Sequence, residues 1–370
     1  MLVDLNLGPL NPEVDMEVHQ MGAGSRLFKT VVFGVVVVTT VGFSLLPALA
    51  QPADKKPEKT VKPTFSTEVL WRDPGAIETR NLLYGPGSPE LAPVAPFTFI
   101  AEDKEGESPK LDVKDARGVR WSVKLGEEAQ SETTATRLVW SVGYFAEESY
   151  YFDNVKIRKL PQHLSRGDEH LAEGGVLVGA RFEPRRAHVK RHDTWDWDKN
   201  PFQDSKVLSG LKVLMILLNN FDAREANNRI LYDRRASQPE AHYYVTDLGA
   251  TLGRSGGLGG KRPKNNLEDY LSTRFVMGTE DGAVEFDYDT RPSRLGHLSV
   301  LYPPYYRGEV KKEKSMRGIP IEHARWIGSL LNQLTDEQLR DAFRAANYDE
   351  EIREGYVRSL RIRIGQLTRL

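Results

Sequence analysis

The chain contains no cysteine. That excludes disulfides, lipid attachment to a cysteine, thiolate metal sites and a cysteine nucleophile. It carries almost no excess charge: 51 Lys and Arg against 52 Asp and Glu leave a formal net charge of −1. A chain so balanced lacks the footprint of a nucleic-acid binder, and any basic surface must be local. It also lacks a Gly-x-Ser-x-Gly elbow, which removes the commonest setting for a serine hydrolase. With 370 residues, 39% hydrophobic and 28% charged, it has the length and composition of a large globular domain or two lobes.

Only one hydrophobic run is long, Val31 to Ala48. Arg26 and Lys29 precede it, and Ala48-Leu49-Ala50 ends it before Gln51. Charged start, apolar middle and small-residue end are the parts of a secretory signal peptide, so residues 1–50 are read as one. Counted from Met1 the charged region is long and counted from Met21 it is ordinary, so translation is expected to start at Met21 or at Met16. The expectation is an exported protein, periplasmic or extracellular. An uncleaved run would instead tether it to a membrane, its only predicted membrane contact. Residues 51–64 are Pro, Lys, Glu, Asp and Thr with almost nothing apolar, the composition of a disordered linker.

Residues 65–182 read as an irregular lead-in followed by a strand-rich lobe. The lead-in, broken by Pro and Gly, is expected to pack on that lobe. Phe97–Ile100 is β-prone. Leu111–Asp115 and Val119–Leu125 alternate about the turn Ala116-Arg117-Gly118, which predicts a hairpin. From Glu127 to Val142 the residues Ala135, Leu138, Val139 and Val142 recur at three- and four-residue steps, which predicts a helix. Tyr150–Phe152, Val155–Ile157 and Gly174–Phe182 are further strand material. Residues 183–370 are richer in helix. Ser205–Asn219 is the most apolar stretch of this part and predicts a buried helix. His242–Thr246 predicts a short strand. Thr335-Asp336-Glu337-Gln338 matches a capping box, and a last helix is expected from about Asp349 to Leu367.

Three segments carry chemistry. Lys124 lies on the strand face opposite Trp121, Val123 and Leu125, with Ser122. An isolated strand lysine is ordinarily solvated, but here a helix starts at once, with Glu132 in its first turns. Glu132 is the preferred partner, and Glu128 and Gln130 compete for the role. Asp222 and Asn227 follow the buried helix in the polar segment Asn220-Phe221-Asp222-Ala223-Arg224-Glu225-Ala226-Asn227. Asn and Asp caps on an exposed turn are the ordinary alternative. Asp247 ends a strand before Leu248-Gly249, where a glycine would let the chain turn sharply. Lysine, Asp-x-x-x-x-Asn and a later Asp-x-Gly, in that order, suit phosphoryl transfer: a cation for phosphates, a base for the acceptor hydroxyl, and oxygen ligands for metal.

These residues resemble the atypical protein-kinase-like superfamily, its HipA-type, phosphoinositide-kinase-like and exported CotH and secretory-pathway branches. The likeness runs from about Leu111 to Gly249, through Asp115-x-x-Gly118-x-x-Trp121-x-Val123-Lys124, Asp222 to Asn227, and Asp247-Leu248-Gly249. It implies a two-lobed α+β fold, a strand-rich N-lobe and a helix-rich C-lobe, with ATP and Mg²⁺ or Mn²⁺ between them. It further implies Lys124 on the phosphates, Glu132 pairing it, Asp222 as catalytic base, and Asn227 and Asp247 on metal. Arg224 stands where many protein kinases have a lysine that touches the transferred phosphate. The acceptor, whether protein, lipid head group or small molecule, is not legible. The chain departs from the pattern in two places. Loop Glu102–Pro109 has only Gly106, not Gly-x-Gly-x-x-Gly, and Asn220-Phe221 replaces His-Arg. A nucleotide-binding scaffold of the cell envelope is therefore the alternative, and a structural envelope protein the third reading.

Two other segments invite and fail a motif. Gly253–Lys261 lacks the glycine six residues before Lys261 and is followed by Arg262, so it is no Walker loop. It reads as an activation-type segment or a plain loop. His188–Asp198 has no second ligand group to complete a metal site, and Trp195 and Trp197 read as packing residues beside the buried helix.

Overall fold

A computed structural model describes residues 63–370 except 105, 107, 255–263 and 291–302. The signal peptide, nearly all of the linker and most of Gly253–Lys261 lie outside the described residues. The described residues belong to one unit, Val61–Leu370. Among them no helix is long and apolar enough to cross a membrane.

Alternation builds the first lobe. Strands β2 (Phe97–Asp103), β3 (Lys110–Lys114), β4 (Arg120–Leu125), β5 (Tyr150–Arg158), β6 (Leu171–Ala172) and β7 (Val176–Pro184) follow β1 (Glu68–Val69). They pair in the order β4-β3-β2-β5-β7-β6, and β4 also pairs with β7, so five strands close into a ring. Every second residue then faces a closed interior. That interior holds Phe97, Leu111, Val113, Trp121, Val123, Leu125, Ile157 and Phe182. The aromatic rings meet edge-on or tilted, as their quadrupoles prefer: Phe97 on Phe182 at 4.9 Å and Trp121 on Tyr150 at 5.8 Å. The two short runs read in residues 150–157 are one strand, because the ladder continues from Phe152, opposite Ala180, to Asn154, opposite Val178.

Helix α1 (Glu127–Ser141) covers the outside of the ring, against β4, β5 and β7. It starts one residue after β4 ends. Gly126, at φ 99°, makes that abrupt turn in a region closed to residues with a Cβ.

The second lobe has a four-stranded sheet of β1, β10 (Ala241–Val245), β9 (Asn228–Asp233) and β8 (Val189–Asp193). A small sheet joins β11 (Val276–Glu280), β12 (Ala283–Phe286) and β13 (Ile319–Pro320). The helices are α2 (Lys206–Leu217), α3 (Leu267–Leu271), α4 (Pro303–Ser315), α5 (Ile321–Leu331), α6 (Asp336–Arg344) and α7 (Glu350–Thr368). Ser205 caps α2 by accepting from the Leu208 amide. Both halves of the Thr335–Gln338 capping box form. Helix α2 lies at the centre of the core, as its apolar sequence requires, with Trp195 and Trp197 buried in the same cluster. Strand-rich lobe, then helix-rich lobe, is the two-lobed α+β order expected of a kinase-like fold.

The lead-in does not pack on the first lobe alone. β1 adds a parallel strand to β10, and Leu70, Ile77 and Leu82 sink into the second lobe's core. Gln338 Nε2 donates to the carbonyls of Ile77 and Arg80, each at 2.8 Å. Further on, Tyr84 and Ala92 reach the first lobe's core. The segment thus links both lobes, because its apolar residues fall in two groups separated by the turns at residues 84–88.

Candidate active site

Lys124 leaves the ring on its outer face because Val123 and Leu125 take the inner one. It is 5% exposed. Its Nζ lies 3.0 Å from Glu132 Oε2, 2.6 Å from Glu128 Oε2 and 2.7 Å from Asp247 Oδ1. Both glutamates therefore pair with it, at successive turns of α1. Gln130, the third competitor, points elsewhere and donates to the Ala346 carbonyl.

A second cation shares the outer face. Arg181 on β7 is the ladder partner of Lys124, and the same alternation sets Ala180 and Phe182 inward and Arg181 outward. Its Nη2 lies 2.8 Å from Glu132 Oε1, so Glu132, 1% exposed, is held by Lys124 on one oxygen and Arg181 on the other. Glu183 and Glu147 complete the cluster, at 3.1 and 3.8 Å from Arg181. Arg181, Glu147 and Glu183 were not read from the sequence. The signal was present for Arg181, a lone cation alternating within the apolar strand Val176–Pro184.

Electrostatics follows from this crowding. Burial alone would lower the Lys124 pKa, but Glu132, Asp247 and Glu128 outweigh it and raise it. Burial pulls the Arg181 guanidinium down, and Glu132, Glu183 and Glu147 more than reverse that. Burial pushes the carboxyl of Glu128 up, but Lys124 and Lys264 bring it down to about 2. Asp247 goes the same way: Lys124 overcomes its burial and holds it below the usual carboxylate range. Glu147 goes the other way, well above that range, because burial and the Glu183 charge beside it outweigh Arg181.

Asp247 follows β10 with φ 54°. The left-handed conformation turns its side chain out of the strand's alternation, a backbone cost that Asp bears better than most residues. The sharp turn expected of Gly249 is thus made by Asp247. Gly249 answers a different need: a Cβ there would stand 2.5 Å from Glu128 Cβ. Only a bare backbone lets this segment lie against α1, where Ser131 Oγ donates to the Gly249 carbonyl at 2.7 Å. Leu248 is fully buried.

The Asp222 loop hangs from the end of α2. Asn219, at φ 53°, reverses the chain and donates to the Gly253 carbonyl. Arg363 of α7, buried and with its guanidinium 3.9 Å over the Tyr270 ring, donates to the Leu217 carbonyl and to Asn219 Oδ1. Tyr288 donates to the Asn220 carbonyl at 2.7 Å. Asn227 Nδ2 donates to Asp222 at both its carbonyl, 2.8 Å, and Oδ2, 2.9 Å. Arg224 Nε lies 2.6 Å from Asp222 Oδ1. Thr246 donates its amide and its hydroxyl to the Asn227 carbonyl, each at 2.8 Å. One chain of contacts therefore runs Lys124, Asp247, Thr246, Asn227, Asp222, across both lobes.

The donor set suits a hard divalent ion that keeps other oxygen ligands. Asp247 is 44% exposed, and Asn227 uses its Nδ2 on Asp222, which leaves Oδ1 as an acceptor. Among the described residues no group of three or more His, Asp or Glu side chains could hold a metal alone. Such an ion would need phosphate or water oxygens beside these two residues. Over the cleft, Ser108 of the β2–β3 loop donates to Glu128 Oε2 at 2.9 Å, and Lys264 reaches Glu128 Oε1 at 2.6 Å.

No family model matches the chain, and no curated protein matches it. Among solved structures, it is similar to the Helicobacter pylori proinflammatory kinase CtkA, with 14% identity and a TM-score of 0.41, over 74% of this chain and 96% of that one. So distant a likeness carries no argument about the site.

Proposed function

We propose that the cleft binds ATP with Mg²⁺ or Mn²⁺ and transfers the γ-phosphoryl group to an acceptor hydroxyl. The observation that carries this reading is the buried Lys124–Glu132 pair with Asp247 Oδ1 2.7 Å from the same ammonium. A lysine so held presents its charge in a fixed place, where phosphate oxygens would replace carboxylate ones. Asp247 and Asn227 would hold the metal, which supplies charge neutralisation between the phosphates. Asp222 would take the acceptor proton, and Arg224 would touch the transferred group. Export, read from residues 26–50, belongs to the same proposal. It predicts a mature N-terminus at Gln51, which mass spectrometry of protein from outside the cytoplasm checks.

A second reading has its own observation. The Asp222 carboxylate already contacts Arg224 and Asn227. A base so engaged favours a nucleotide-binding scaffold without transfer. Thermal unfolding with ATP and Mn²⁺ or Mg²⁺ tests both readings, because a ligand bound to the native state alone raises its stability by about 2.7 kcal/mol at a hundred times its Kd. A raised midpoint with measurable transfer supports the enzyme. A raised midpoint without transfer supports the scaffold. No shift with either metal ends both and leaves a structural envelope protein.

A further inference from the structure

The second lobe has a cleft of about 590 Å³ on the side of α2 and α4, lined by Lys212, Arg307, Lys311, Lys314 and Arg317 with one carboxylate, Asp198. Five lining cations against one lining carboxylate, with Asp196 pairing Lys311 from beside the cleft, is a local imbalance in a chain whose net charge is −1. The walls are built. Ser315 Oγ donates to Asp198 Oδ2 at 2.8 Å, and Lys311 Nζ reaches Asp196 Oδ2 at 2.5 Å, so α4 is clamped to the turn after Trp195. Lys312, facing the other way, donates to the Phe221 carbonyl at 3.2 Å and anchors the same helix beside the Asp222 loop.

Most of the lining charge is uncompensated. Lys212, Arg307, Lys314 and Arg317 form no ion pair among the described residues. Lys212 is half-buried on α2. Burial lowers its pKa more than the nearby charges of Asp198 and Asp204 raise it. Cations gathered in a concave site focus a positive potential on whatever enters. Asp196, paired with Lys311, and Asp198 do not balance all five, and arginine forks match phosphate oxygens in pairs. The volume is that of a small-molecule site and falls short of a macromolecular groove.

We propose that this cleft binds a small molecule or head group bearing several phosphate groups. The proposal stands apart from phosphoryl transfer, since none of its residues belongs to the Lys124 site. The test is calorimetric titration of the full chain with myo-inositol hexakisphosphate at about 0.15 M salt, where weak surface attraction is screened. The double variant Lys314→Glu/Arg317→Glu should bind at least about tenfold more weakly, because two exposed cations are reversed in the cleft. Both side chains are exposed, so the fold should persist. The control Lys156→Glu/Arg158→Glu changes net charge equally at exposed positions of β5 and should bind like wild type. Pelleting with phosphatidylcholine vesicles containing phosphatidylinositol bisphosphate, lost in the cleft variant, assigns the phosphates to a lipid head group. Titration without pelleting assigns them to a soluble compound. The proposal is overturned if wild type binds neither probe, if the cleft variant binds as wild type does, or if the control weakens binding as much as the cleft variant.

Discussion

The two halves of the candidate site are held by different physics. Lys124, Glu132 and Arg181 are buried between α1 and the ring, and their positions rest on charge. Asp222 and Asn227 lie on a loop that takes its shape from hydrogen bonds to main-chain carbonyls, with Arg363, Tyr288 and Thr246 as donors. A buried charge that loses its partner keeps its desolvation cost, whereas the Asp222 side chain is partly exposed and Asn227, though buried, is uncharged and keeps main-chain partners. The first half should therefore be fragile in stability and the second fragile only in function.

Glu132→Ala gives the sharpest break. It removes the counter-charge that two nearly buried cations share, leaving Lys124 to Glu128 and Asp247 and Arg181 to Glu183, and should destabilise the fold by about 3 kcal/mol. Urea unfolding measures this, and a cost below about 1 kcal/mol would mean that the cluster is wetter than its geometry. Next comes Gly249→Ala, whose Cβ would collide with Glu128 and force α1 and the Asp247 segment apart. The expected loss is about 1–3 kcal/mol, with weakened nucleotide binding if Asp247 moves too.

A smaller effect is confined to acid. The folded-state pKa of Glu128 is held at about 2, against an ordinary 4.5. A depressed carboxylate contributes stability that is complete above 4.5 and lost as pH falls toward 2. The difference in unfolding free energy between wild type and Glu128→Gln should hence shrink through that window and stay level above it.

Asp222→Ala should change stability least, by about 1 kcal/mol or less, because Asn227 Nδ2 keeps its bond to the main-chain carbonyl of residue 222. Under the enzyme reading it should still cut transfer on the order of a hundred- to ten-thousand-fold with nucleotide affinity kept. A large stability loss in this variant would erase the distinction between the two halves.

Local pattern was legible. Alternation in Val119–Leu125 placed Lys124 opposite Trp121, Val123 and Leu125, and the three-four spacing after Glu127 placed a helix close enough for Glu132 to pair with it. The cap at Thr335 and the buried helix after Ser205 were legible for the same reason, since each depends on residues within one or two turns of one another. Gly249 was assigned a turn because sequence shows that a side chain is missing, not what occupies its space.

What only the tertiary structure decided is which distant residues meet. That β4 pairs with β7 depends on closing the ring, and this pairing alone brings Arg181, 57 positions from Lys124 by their numbers, against the same glutamate. The lead-in's split between two cores, the grip of Arg363 on the Asp222 loop and the basic cleft beside α4 are of the same kind. The sequence by itself determined the period of each element and so which face its charges occupy, because that is set by bond geometry a few residues long. Which faces then oppose one another is settled by burying apolar area across the whole chain, and no short stretch of sequence contains that sum.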